Sequence, residues 1–97
     1  MDLKKFQKII KDTYYEKDSK RGLWPTFGWL VEEVGELSRD IKKGDKEAQE
    51  YEIGDVFAWL VSLANILEID VSKALEKYTN GCPKCKKAPC GCPQHKT

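Results

Sequence analysis

Residues 29–37 read WLVEEVGEL, and residues 52–60 read EIGDVFAWL. In the first stretch Glu32, Glu33 and Glu36 sit inside an otherwise apolar segment. In the second, Glu52 and Asp55 do the same. A residue advances about 100° around an α-helix, so such segments can be projected onto a wheel. With Glu33 at zero, Phe27, Leu30, Val31, Val34, Leu37 and Ile41 fill an arc of roughly 40° to 160°. Glu36 and Glu32 fall at roughly 300° and 260°. With Glu52 at zero, Ile53, Val56, Phe57, Leu60, Val61, Leu63, Ala64 and Leu67 fill roughly 20° to 180°, while Asp55 and Trp59 fall near roughly 300° and 340°. Both segments thus carry an apolar stripe, an acid pair at i, i+3 on its edge, and a tryptophan (Trp29, Trp59) on the acid side. The stripes are expected to pack together as core, with the acid pairs meeting at one rim.

The rest of the chain extends this helical pattern. Leu3, Phe6, Ile9, Ile10 and Tyr14 recur at helical spacing, which predicts a first helix from about Leu3 to Lys17. The polar run EKDSKRGLWP reads as a break, and Thr26 as the cap of a second helix running to about Lys43 and stopped by Gly44. Asp45 would cap a third helix to about Glu68, and Asp70 a short fourth through VSKALEKY, ended by Asn80-Gly81. No strand, solenoid repeat or linker is evident. The very short connection between the second and third helices predicts an antiparallel hairpin. The expected fold is all-α, a hairpin-based bundle of three long helices and a short fourth, completed by oligomerisation. Residues 1–80 would form the domain and 81–97 a Cys/Lys/Pro-rich tail.

Composition limits the function. The chain has 97 residues, 40% hydrophobic and 34% charged, with a net charge of +1. That is a single globular domain with a thin core, which gains from association. The small net charge gives no bulk electrostatic case for nucleic acid or an anionic membrane. No apolar run approaches the roughly 20 residues of a membrane span, and the amphipathic MDLKKFQKII start is too polar for a signal sequence. A cytoplasmic setting is expected.

Four carboxylates converging from two helices would repel. At ~4 Å each like-charge pair costs about 1 to 4 kcal/mol, depending on the effective dielectric. A divalent cation reverses that sign, and hard oxygen donors suit Mg²⁺, with Mn²⁺ as a substitute. Mg²⁺ keeps waters and takes phosphate oxygens as further ligands, which points to phosphate chemistry. The competing reading is a non-catalytic helical oligomer or interaction module with a solvated acidic face, since acid pairs at i, i+3 are common on exposed helices.

EEVGEL and EIGDV, with fifteen residues between Glu36 and Glu52, resemble the EExxE and ExxD motifs of MazG-like nucleoside triphosphate pyrophosphohydrolases, and LANILEID and ALEKY resemble the same family's continuation. The resemblance spans about residues 26–80. It implies an all-α dimer or dimer of dimers with Mg²⁺ in its site. The implied reaction is hydrolysis of a nucleoside triphosphate to the monophosphate and pyrophosphate, with housecleaning of non-canonical nucleotides as one role. By position it implies Glu33, Glu36, Glu52 and Asp55 as metal ligands and Glu32 as the group that holds or deprotonates the attacking water. Trp29 and Trp59 are candidates for stacking on a base, or else pack at a helix interface. Asn65, at the LAN position, is a candidate for contacting sugar or base, or else serves as a cap or interface amide. The chain departs from the family where a basic helix would follow ALxK. Lys77, Lys84, Lys86, Lys87 or a lysine of another protomer would then face the phosphates.

The tail reads CPKCKKAPCGCPQH. Cys82, Cys85, Cys90 and Cys92 form a C-x₂-C and a C-x-C pair separated by four residues, a compact candidate zinc set. The link is shorter than in common zinc sites, and disulfides or an unliganded basic tail are the alternatives. With four sulfurs bound, His95 is surplus. Thiolates are too soft to join the Mg²⁺ site.

Overall fold

The computed structural model describes residues 1–93 and is all-α, with no strand among them. Helix α1 spans Leu3–Arg21, α2 Leu23–Lys43, α3 Lys46–Ile66 and α4 Val71–Ala74, followed by a 3₁₀ turn over Glu76–Tyr78. Three long helices and a short fourth match the expected inventory. None of the described helices is long and apolar enough to cross a membrane. The candidate ligand His95 lies outside the described residues.

The cap chemistry explains most boundaries. The Asp45 carboxylate accepts from the Ala48 N–H at 3.1 Å, and Asp70 accepts from Ser72 and Lys73 at 2.9 and 3.3 Å. Gly44 closes α2 in the left-handed region at φ 72°, which a residue without a Cβ adopts freely.

The junction between α1 and α2 differs from expectation. The polar run does not break the helix: α1 continues through Glu16–Arg21. These side chains are polar but contain no backbone breaker, and Lys20 and Arg21 suit the negative end of the helix dipole. Gly22, at φ 91°, is the single hinge residue, and its N–H bonds the Asp18 carbonyl at 3.0 Å. Helix α2 therefore starts at Leu23, with Pro25 in its first turn, where a missing N–H is harmless. Thr26 is not a cap. It is fully buried, and its Oγ1 accepts from Arg21 Nη1 at 3.3 Å.

Gln7 of α1 pins the far end of α3. Its Nε2 donates to Asn65 Oδ1 at 2.9 Å and to the Ile69 carbonyl at 2.8 Å, while its Oε1 accepts from the Val71 N–H at 2.9 Å. Helix α3 stops at Ile66, two residues short of the expected end, as Glu68 turns to φ 58°. The fourth helix is a single α-turn followed by the 3₁₀ turn, shorter than the run to Tyr78.

The core is the largest correction. Among the described residues, only Ile10 and Val61 are buried apolar side chains, and the other buried groups are Asp18, Thr26, Glu52, Ser62 and Asn65. The expected stripe on α2 leaves Phe27, Val31, Val34 and Ile41 exposed, and on α3 Ile53, Phe57 and Leu60 are exposed as well. Helices α2 and α3 meet along their acid-bearing faces instead. Trp29 meets Trp59, Glu33 and Glu36 meet Glu52, and the Asp40 carbonyl meets Gln49. These pairings run in opposite directions along the two helices, so the hairpin is antiparallel as expected.

Candidate functional site

The site grows from one register. Because α2 and α3 run antiparallel from a tight Gly44-Asp45 turn, Glu33 and Glu36 on one helix reach the level of Glu52 on the other. One carboxylate oxygen from each of the three lies within 4.8 Å of the others. Glu52 is 7% exposed, and its Oε2 has no hydrogen-bond partner. Its pKa is pushed up to about 8, first by a proton shared with the Glu33 carboxyl, then by burial, then by the charges of Glu33, Glu36 and Asp55. Such burial among like charges favours the protonated carboxyl unless a cation offsets the charge. All three donors are hard oxygens, so the cluster fits a divalent cation of the Mg²⁺ class.

Asp55 stands outside this three-oxygen group but close enough to raise Glu52. One helical turn along α3, it lines a cavity of about 300 Å³ with Tyr14, Lys17, Asp18, Arg21, Trp59 and Ser62. Glu32 is exposed beside Glu33. Glu36 makes a long contact of 3.7 Å with the exposed Arg39, which leaves the cluster's charge largely uncompensated.

The two tryptophans stack on each other, with ring centroids 6.0 Å apart and planes 20° from parallel. The Arg21 guanidinium lies over the Trp59 ring, 4.9 Å from its centre. Asn65 is about 15 Å further along α3 than Asp55. It is bound by Gln7 and lines a separate cavity of about 480 Å³ that also holds Lys4, Lys8 and Lys11. Within one chain the structure therefore does not bring Asn65 to the acid cluster. Lys84 is exposed in the tail, where the Sγ atoms of Cys82, Cys85, Cys90 and Cys92 gather within 4.8 Å of one another, a set able to chelate a metal.

Sequence reasoning missed Asp18, Arg21 and Ser62. Asp18 is 2% exposed, paired through Oδ1 with Arg21 Nη1 at 2.9 Å, and its Oδ2 has no partner. The signal is an acid and a base three residues apart in a polar stretch that reads as a break. Reading that stretch as helix would have placed both on the face that α3 covers.

No curated protein matches the chain. The family model for the MazG nucleotide pyrophosphohydrolase domain matches residues 25–86, which include Glu32, Glu33, Glu36, Glu52, Asp55, Trp29, Trp59 and the first two cysteines. With more than half of the chain covered by that match, and with the paired acids meeting across α2 and α3, the protein belongs to the MazG nucleotide pyrophosphohydrolase family and carries a hydrolase domain.

Proposed function

We propose that the protein is a Mg²⁺-dependent hydrolase that cleaves nucleoside triphosphates to the monophosphate and pyrophosphate. The observation that carries this reading is the buried, unpartnered oxygen of Glu52 within a three-carboxylate cluster. Glu33, Glu36 and Glu52 would hold the ion, with Asp55 as the next donor along α3. Bound there, Mg²⁺ would neutralise phosphate oxygens and lower the pKa of a water. Glu32, exposed beside the cluster, would accept the proton from the attacking water. The water oxygen forms its bond to the α-phosphorus as the bridging bond to the β-phosphate breaks, and pyrophosphate leaves. Trp29 and Trp59 would contact the base; Trp29 is half exposed, while Trp59 already faces Trp29 and Arg21 and lines the cavity wall with Arg21. Lys84 and its neighbours in the tail are the candidate cations for the phosphates. A structural Zn²⁺ on the four thiols would be separate from this chemistry, because soft thiolates and hard oxygens select different ions.

The active form would be a homo-oligomer, a dimer or a dimer of dimers. Phe27, Val31, Val34, Ile41, Ile53, Phe57 and Leu60 form an exposed apolar surface on the α2–α3 hairpin, and a second copy would cover it. The test is a panel of canonical and modified nucleoside triphosphates incubated with Mg²⁺ and read as pyrophosphate. Release from at least one of them, lost in Glu36→Gln with the helices intact, is expected. Full turnover in that variant would contradict the site.

A further inference from the structure

The chain after the 3₁₀ turn supplies only candidate phosphate-facing lysines to the reading above, yet it is closely organised. Gly81 sits at φ 91°, and a Cβ there would stand 2.7 Å from the Lys87 carbonyl oxygen, so only glycine fits. That close approach lets the Cys82 N–H donate to the Lys87 carbonyl at 3.0 Å, while the Lys86 N–H donates to the Cys82 carbonyl at 2.7 Å. The two bonds fold residues 82–87 into a tight knuckle and leave Cys82 and Cys85 on one side of it. The chain then returns so that Cys92 Sγ lies 3.9 Å from Cys82 Sγ and Cys90 Sγ lies 4.0 Å from Cys85 Sγ.

These separations discriminate between chemistries. A disulfide needs about 2.05 Å between sulfurs. A tetrahedron of four thiolates around Zn²⁺, with Zn–S of about 2.3 Å, has edges of about 3.8 Å. All four cysteines are free, and their sulfurs lie within 4.8 Å of one another, at the spacing of such a tetrahedron. The backbone supplies the supporting shell. The Gly91 N–H donates to Cys85 Sγ at 3.3 Å, and the Cys92 N–H donates to Cys90 Sγ at 3.4 Å. Amide-to-sulfur bonds of this kind orient thiolate ligands and spread their charge.

We infer that Cys82, Cys85, Cys90 and Cys92 bind one Zn²⁺ in a closed, four-sulfur structural site that holds the tail as a folded loop distinct from the carboxylate cluster. With four protein ligands the ion has no open position, so the site is structural and not catalytic. Lys84, Lys86 and Lys87 are exposed on the same loop, so the ion also fixes where these three cations stand.

The test uses the full chain purified under reducing conditions, with metal content measured by mass spectrometry. About one zinc per chain is expected to survive gel filtration, as for a closed four-thiolate site. Replacement by Co²⁺ should give the thiolate charge-transfer and tetrahedral ligand-field bands of a four-sulfur site. Cys85→Ser and Cys90→Ser should each lose the zinc while the helical circular dichroism of α1–α3 persists, and Gly81→Ala should bind zinc more weakly. A metal-free protein with four titratable thiols, a protein with two disulfides, or zinc retained equally by both serine variants would overturn the assignment. Metal content is read without nucleotide, so this result and the pyrophosphate assay fail independently.

Discussion

Trp29 and Trp59 lie face to face across the α2–α3 hairpin, 6.0 Å between ring centres. The pair sits at the end of α3 that follows Glu52 and at the start of α2 that precedes Glu33. It therefore sets the register that brings the three carboxylates together. An aromatic pair of this kind is worth about 0.5–1.5 kcal/mol beyond its buried area. A double-mutant cycle of Trp29→Ala and Trp59→Ala, followed by urea unfolding, should return a coupling energy of about that size. Additive single effects would show that the rings do not support each other.

Arg21 and Asp18 make a second, sharper case. Asp18 is 2% exposed and its partner Arg21 is 25% exposed by side chain. Removing the base leaves a buried carboxylate without its counter-charge, so Arg21→Ala should destabilise the fold by about 3–5 kcal/mol. The double variant Asp18→Asn with Arg21→Ala should recover part of that loss. Urea midpoints at one fixed protein concentration check both, since stability in an oligomer depends on concentration.

These two cases also show what could be seen in the sequence. The acid-bearing hairpin was legible because periodicity, a glycine stop and an aspartate cap all agree over residues 27–66. Its packing was not. Periodicity predicts apolar stripes that meet within the chain, whereas the chain buries its polar edge and leaves Phe27, Val34 and Phe57 open. A hydrophobic pattern marks which face is buried in the final assembly and says nothing of whether the partner is the same chain. The α1–α2 junction was misplaced for a different reason. A polar run suggests a break, while the backbone between α1 and α2 turns at Gly22.

The open apolar face leads to a prediction of its own. Val34→Glu or Phe57→Glu places a charge in the middle of that face without touching the acid cluster. Each should shift the mass measured by sedimentation toward the single chain and raise hydrophobic-dye binding above that of the parent protein, because the rest of the apolar face is uncovered. An unchanged oligomer, or a parent protein that is already monomeric, would refute the interface.

The raised pKa of Glu52 gives a pH dependence with a defined sign. Its folded value of about 8 lies above its ordinary value of 4.5, so the metal-free fold binds this proton more tightly than the unfolded chain does. The resulting stability is fully present below pH 4.5 and is lost as the pH rises through about 8. Thermal unfolding in EDTA should therefore show a falling contribution across that window, absent in Glu52→Gln. Identical pH profiles for the two proteins would remove Glu52 as the titrating group.

Glu33, Glu36 and Glu52 would tolerate one another by sharing a hard divalent cation. The most direct measurement is the melting temperature of the parent protein and of Glu52→Gln at pH 8, each in EDTA and in Mg²⁺. Mg²⁺ should raise the melting temperature of the parent protein, while Glu52→Gln should melt higher than the parent in EDTA and gain little from Mg²⁺. Equal response of both proteins to Mg²⁺, or none in either, would rule out a cation shared through Glu52.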